Sequence, residues 1–176
     1  PLHPLSIAIG CEGTIVARSI DTNIKHLETT LRRAAQHRGT AFVEVYQNCP
    51  VFNDGAYTFM TEKAVKADAQ LRMEDGKPLL FGKNRQQGLR FDPAALALEV
   101  VTLGQDGVTM EDILVHDETN RTLAGMLAAL EPPGPVALGV LYCAPVQDFT
   151  TAVFDQPVKG SGDIGALLKQ GKTWTV

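Results

Sequence analysis

Cysteine is scarce in this chain of 176 residues. There are three, Cys11, Cys49 and Cys143, and no two of them form a C-x-x-C pair. Spacings this wide exclude a disulfide framework, and they exclude a structural zinc or an iron–sulfur centre built wholly from the chain's own thiolates. A reducing cytoplasm is the natural setting for such a chain. Positive charge is not in surplus either. The formal net charge is −4, so a surface that tracks the phosphates of a nucleic acid is not expected. No apolar run is long enough to span a bilayer, and no basic segment introduces a signal peptide, so no membrane partner is expected. Phosphate-binding loops are missing too: there is no G-x-G-x-x-G and no Walker lysine motif. Internal repeats and low-complexity stretches are also absent.

What is present is ordinary globular material, 44% hydrophobic and 20% charged, long enough for a sizeable core and for one domain or one and a half. The first residue is Pro1 and not Met, with element-forming sequence directly behind it. The chain therefore reads as part of something longer, a processed piece or a domain cut from its parent.

The organising stretch is Gly39–Asp54, GTAFVEVYQNCPVFND. Thr40 to Tyr46 is nearly continuous, apolar and β-rich, as a buried strand should be. Asn48, Cys49 and Pro50 break it, and a loop follows through Gly55. Upstream, Thr14–Ala17 reads as a buried strand ended by Arg18 and Ser19. Asp21 or Thr22 then offers an N-cap, and Ile24, Leu27, Leu31, Ala34 and Ala35 recur at helical spacing. His37 and Arg38 suit the helix's carboxyl end, and Gly39 suits the C′ position. Strand, helix and strand with short joints predict a right-handed βαβ unit and a parallel pair of strands. Arg18 and Cys49 are then expected together on the carboxyl edge of the sheet, where open α/β folds bind ligands.

Further along, Ala56–Met73 reads as partly helical. Pro78–Phe81 and Ala97–Leu103 read as strands, and Lys83–Gly88 as a polar loop. Met110–Val115 reads as a helical turn or a strand. Glu118–Leu130 is a helix, with Asp117 as its cap. Val136–Leu141 is a buried strand behind the Pro132–Pro135 break. Asp148–Phe154 and Asp163–Lys169 are helices, and Trp174–Val176 is an apolar tail that docks. The Asp-Gly pairs at 54–55, 75–76 and 106–107 are turns.

Chemistry is sparse. Cys49 has two readings, an inert thiol behind a strand or a thiolate ligand completed by groups from elsewhere. Cys11 and Cys143 lie among apolar neighbours and read as filler. His116-Asp117-Glu118 points three ways on any regular element, so it is a poor chelate. Arg18 can take a carboxylate, phosphate or cofactor edge with its fork, or pair with a neighbouring acid. Arg32 and Arg33 read as a solvated helix face. No residue of the chain qualifies as catalytic.

The runs GCEGTIVARS and AAQHRGTAFVEVYQNCPVFND together resemble the carboxyl-terminal half of the beta subunit of 2-oxoacid:ferredoxin oxidoreductases. The pieces GKPLLFG, ILVHDE, ALGVLY and LLKQGKTWTV resemble the 2-oxoglutarate (KorB-type) branch. The resemblance implies a thiamine-diphosphate enzyme with Mg2+ and a four-iron–four-sulfur (4Fe-4S) cluster. Such an enzyme decarboxylates a 2-oxoacid oxidatively, forms an acyl-CoA from coenzyme A and reduces ferredoxin. It implies that Cys49 is the fourth cluster thiolate, with Arg18 as a weaker cofactor-binding candidate.

The other three cluster cysteines and the GDG…N diphosphate–magnesium motif of the family are absent from this sequence. Neither cofactor is therefore expected complete on this chain, and its partners are the amino-terminal half of the beta subunit and the alpha subunit. The implied fold is α/β. Residues 1–55 belong to a doubly wound parallel sheet that binds thiamine diphosphate, and residues 56–176 to an α+β extension. The competing expectations are a non-catalytic assembly module that docks the alpha and beta subunits, and a standalone α/β protein with an inert Cys49.

Overall fold

The computed structural model of the chain describes residues 2–156 and 163–170. They fall into two compact units, residues 1–146 and 147–176. The first opens with helix α1 (Pro4–Gly10), strand β1 (Ile15–Ile20), helix α2 (Ile24–Gln36) and strand β2 (Ala41–Tyr46). Two single-turn helices follow, α3 (Thr58–Thr61) and α4 (Lys66–Ala69). Then come strands β3 (Gln70–Arg72), β4 (Leu80–Phe81), β5 (Gln87–Asp92) and β6 (Ala97–Thr102), helix α5 (Arg121–Ala128) and strand β7 (Val136–Cys143). The second unit holds α6 (Phe149–Asp155), capped by Asp148, and α7 (Ile164–Gln170). The tail at Trp174–Val176 lies outside the described residues.

The predicted βαβ unit is present. β1 and β2 pair in parallel, from Ile15 opposite Ala41 to Ile20 opposite Tyr46. Their sheet has the order β2-β1-β7-β3, and β7 joins β1 antiparallel while β3 runs parallel to β7. β1 is therefore an interior strand, buried at all six positions. Its side chains alternate between the faces, as a period of two requires. Val16 enters the core that α1 and α5 supply through Leu5, Ile9, Leu123 and Leu127. Ile15 and Ala17 pack with Val43 and Val140 on the opposite face, the one α2 covers. A separate antiparallel sheet, β4-β5-β6, carries the hairpin whose Arg90–Glu99 pair spans the strands at 2.6 Å.

Several local expectations are corrected. β1 does not stop at Arg18 but runs two residues further, because Ser19 and Ile20 continue the ladder opposite Val45 and Tyr46. Asn23, not Asp21 or Thr22, caps α2, its Oδ1 accepting from the His26 N–H. The apolar stripe of α2 does not face the sheet throughout. Ile24 is 76% exposed and Leu31 46%, while Thr30 is the buried residue. α5 starts after Asn120, which accepts from the Leu123 N–H, so Asp117 is not its cap; Asp117 instead closes a turn on Thr119. β3 lies inside the stretch read as partly helical, and β5 begins at Gln87 and Gly88, the end of the stretch read as loop, and runs on to Asp92.

Candidate functional site

The carboxyl ends of β1 and β2 open into one small cleft of about 200 Å3 lined by Asp21, Thr22, Asn48, Asp54, Tyr57 and Thr58, among others. Parallel strands end here side by side, with loop backbone in place of ladder partners, so the edge is free to receive a ligand. Two contacts hold the loop that leaves β2. The Asn48 amide donates to Asp54 Oδ1 at 2.9 Å and accepts from the Gly55 N–H at 2.9 Å, so one side chain pins both ends of the turn. Tyr46, the last residue of β2, stacks on Tyr57 at 4.6 Å between ring centroids and 16° between planes. Burial raises the Tyr46 pKa and outweighs the lowering effect of Arg18, keeping the phenol neutral.

Cys49 sits inside this pinned turn. Its carbonyl accepts from the Asn53 N–H at 3.0 Å. Its thiol is free and partly exposed. The backbone amides of Phe52, then Val51, lower its pKa from the usual thiol value, with a smaller contribution from Asn53. Val51 and Phe52 beside it are 80% and 91% exposed, an apolar collar facing outward. Among the described residues, no group of three or more His, Cys, Asp or Glu side chains could hold a metal ion. Any metal centre at Cys49 would need its other ligands from outside the described residues.

Arg18 is not part of this edge. It lies mid-strand, 5% exposed, with its Nε–H donating to Glu44 Oε2 at 2.7 Å and its guanidinium 4.9 Å from the Tyr46 ring centroid. Of the two uses open to it, it makes the ion pair with a neighbouring acid. The side chains that reach the edge, Asn48 and the Tyr46–Tyr57 pair, carry a weak sequence signal. Asn48 reads as a strand breaker, and nothing local announces that its amide closes on Asp54.

A relative settles what kind of protein this is. Subunit KorB of 2-oxoglutarate oxidoreductase from Mycobacterium tuberculosis is 36% identical over an alignment of 187 positions that takes in 100% of this chain and 49% of that protein. The chain belongs to the beta-subunit family of the 2-oxoacid:ferredoxin oxidoreductases. It spans about half the length of KorB. Beta subunits of 2-oxoacid:ferredoxin oxidoreductase from Saccharolobus solfataricus and Aeropyrum pernix match 53-residue stretches, at 38% and 36% identity, over 30% of this chain and 17% of each relative. No family model matches. The fold has a counterpart in the solved structure of 2-oxoglutarate:ferredoxin oxidoreductase from Magnetococcus marinus, with 2-oxoglutarate, coenzyme A and succinyl-CoA bound. The two superpose with a TM-score of 0.58 over 98% of this chain and 45% of that one, at 19% identity. At that identity the likeness is one of fold, and it agrees with the α/β class and the parallel pair of strands.

The other residues singled out in the sequence lie elsewhere in the structure. His116 is buried and bonds the Val140 carbonyl at 2.8 Å. Glu118 is buried against Arg33, and Asp117 turns outward, so the His-Asp-Glu run does not converge. Arg33 is accordingly an ion-pairing residue and not solvated filler. Cys143 is not among apolar neighbours alone: the His37 ring lies 3.8 Å from its sulfur. Among the described residues, no helix is long and apolar enough to cross a membrane.

Proposed function

We propose that this chain is the carboxyl-terminal part of the beta subunit of a 2-oxoglutarate:ferredoxin oxidoreductase, and that Cys49 is one thiolate ligand of its 4Fe-4S cluster. The observation that carries this reading is the free, partly exposed thiol in the Asn48-pinned loop at the carboxyl end of β2. When bound, the cluster supplies one-electron transfer toward ferredoxin, and thiamine diphosphate with Mg2+ supplies the carbanion chemistry on the 2-oxoacid. The other three cluster thiolates and the diphosphate-binding residues come from outside this chain.

The chain's own residues do positional work. The turn at Val51–Asn53 lowers the Cys49 pKa through its backbone amides and so favours the thiolate a cluster needs. The Asn48 clamp keeps the turn from relaxing. Val51 and Phe52, 80% and 91% exposed, offer apolar surface beside Cys49 for a partner to cover. β2 is the outer strand of its sheet and leaves Val45 38% exposed beside the bare stripe of α2. An open edge with apolar neighbours calls for more sheet. The proposed occupant is the amino-terminal half of the same subunit, since the chain spans 49% of its relative. In the intact subunit the β2-β1-β7-β3 sheet then continues the cofactor-binding sheet, with the alpha subunit completing the enzyme; the expected division into residues 1–55 and an extension over 56–176 is corrected, because β3 and β7 belong to the same sheet as β1 and β2.

The test is Cys49→Ser in the complete enzyme, coexpressed with its alpha subunit. Iron and acid-labile sulfide should fall well below the unaltered enzyme, and ferredoxin reduction should collapse while the subunits still assemble. Full iron content with normal ferredoxin reduction would refute the assignment.

A further inference from the structure

We propose that the cleft walled by α4, β3 and the turn between β4 and β5 docks the acidic face of a one-electron carrier protein. The proposal rests on the assignment of Cys49 to a cluster and adds where the electron acceptor binds. The cleft holds about 450 Å3 and gathers Lys63, Lys66, Arg72 and Arg85, with Leu80 as part of its apolar wall. Glu74 is the one carboxylate among its lining residues. The net charge of the chain is −4, so this cleft reverses the sign of the molecule around it.

These charges are uncompensated. Among the described residues, the side chains of Lys63, Lys66 and Arg85 make no hydrogen bond and no ion pair. Lys66 is half-buried all the same. Arg72 donates to Gln70 Oε1 at 3.3 Å, a neutral acceptor that does not cancel its charge. The walls, by contrast, are braced. Gln70 is 5% exposed and donates from Nε2 to the Met60 carbonyl at 2.8 Å. The Gly82 N–H donates to the Ala67 carbonyl at 2.8 Å, and the Lys83 N–H to Asp68 Oδ1 at 3.3 Å. The Arg85 N–H closes its turn on the Gly82 carbonyl at 3.0 Å. Carboxylates of a partner can therefore pair with these cations without displacing internal ones, on a surface already ordered.

The cleft stands at the same end of the sheet as Cys49. β7 runs antiparallel to β1 with Cys143 opposite Ile15, so its first residue, Val136, lies at the carboxyl end of β1. Gln70 opens β3 opposite Val136. From the Cys49 loop, α3 and α4 carry the chain across this end of the sheet, with Met60 packed among Ile20, Val136 and Leu138. Lys63 and Lys66 precede Gln70 and stand at that same end. Three strand spacings separate β2 from β3, roughly 14 Å. The edge assigned to the amino-terminal half is that of β2, at the other side of the sheet.

A protein is the occupant that these features fit together. Opposite potentials steer the encounter of two proteins and fix their orientation. A small anion would fill the cleft alone, whereas a protein face also covers the exposed Val51 and Phe52 beside Cys49. A cationic rim next to apolar contact, within the roughly 1,000 Å2 of a transient electron-transfer interface, suits a carrier that must bind and leave. The carrier arrives oxidised, takes one electron from the reduced cluster and leaves reduced, with no bond made or broken.

The test measures ferredoxin reduction by the complete enzyme, coexpressed with its alpha subunit. Lys63→Glu combined with Lys66→Glu should raise the KM for ferredoxin about tenfold and leave kcat nearly unchanged. In the unaltered enzyme that KM should climb with salt, and in the variant far less steeply. With methyl viologen, a small acceptor that needs no docking face, the variant should match the unaltered enzyme in its KM for 2-oxoglutarate. Arg32→Glu, a charge reversal on the exposed side of α2, should leave the ferredoxin KM where it was. An unmoved ferredoxin KM in the lysine variant, an equal rise from Arg32→Glu, or loss of the alpha subunit from the lysine variant would overturn the proposal. Iron content keeps this apart from the cluster assignment. Cys49→Ser tests that assignment by its iron, and the lysine variant should keep full iron while its KM is read. Should the double variant fail to fold, Arg85→Gln at an exposed turn carries the same KM test.

Discussion

The guanidinium of Arg33, on α2, closes on the carboxylate of Glu118 through two N–H···O bonds, across 85 residues of sequence. The Glu118 side chain is 7% exposed and that of Arg33 45%. Glu118 also ties its neighbourhood together, since its N–H donates to Asp75 Oδ1 and its carbonyl accepts from the Cys143 N–H at 2.7 Å. One ion pair thus links the crossover helix to the segment before α5 and to the end of β7. Arg33→Gln would strand a buried carboxylate. The expected loss is about 2 kcal/mol, below the range for a fully buried pair because Arg33 is half in water. Adding Glu118→Gln should recover most of it. Urea midpoints of the two single variants and the double variant measure the coupling, and additive losses would contradict it.

Arg18→Lys keeps the charge but gives up the planar fork and the stack on Tyr46. A stability loss of about 1–2 kcal/mol is expected, with cluster content of the assembled enzyme unchanged. A variant of full stability that fails to bind cofactor would reassign Arg18 from ion pairing to ligand binding.

Asn48→Ala removes both contacts that pin the Cys49 turn. Each is a hydrogen bond worth about 1 kcal/mol net, and both are exposed, so global stability should change little. The consequence belongs at the sulfur. Iron retained by the intact enzyme under mild chelation should fall faster than in the unaltered protein, and equal retention would show that the clamp is idle.

His26 bonds Ser19 Oγ through Nδ1 at 2.8 Å, and its pKa is lowered by burial first and then by the positive charge of Arg72. The unfolded chain takes up a proton near pH 6.5, and the folded chain does so only at lower pH. The stability contributed by neutral His26 is therefore complete above about pH 6.5 and is lost as pH falls through the folded value. His37 shifts in the same direction, from burial and then Arg33. Denaturant midpoints between pH 7.5 and 5 should decline, and His26→Gln should flatten that decline. An identical slope in the variant would assign the pH dependence to His37 or the carboxylates.

Local chemistry made much of this protein legible in the sequence. The β-rich run from Thr40 to Tyr46, the helical spacing of Leu27 and Ala34 and the break at Asn48-Cys49-Pro50 each depend on neighbours a few residues away. They specify the βαβ unit and put Cys49 at the end of its strand whatever surrounds them. The shorter elements were hidden for the same reason. β3 has only three residues, and β5 opens with Gln87 and Gly88 at the end of a polar run, so the alternation of Leu89, Arg90, Phe91 and Asp92 is too short to stand out. What tertiary structure alone decided is which distant groups meet. Arg33 finds Glu118, Arg18 finds Glu44, and His37 comes beside Cys143 only because β7 enters the sheet antiparallel against β1. Backbone propensity acts over one or two turns of chain. A charge, a thiol or an imidazole takes its properties from whatever packing brings within a few ångströms, and no stretch of sequence encodes that by itself.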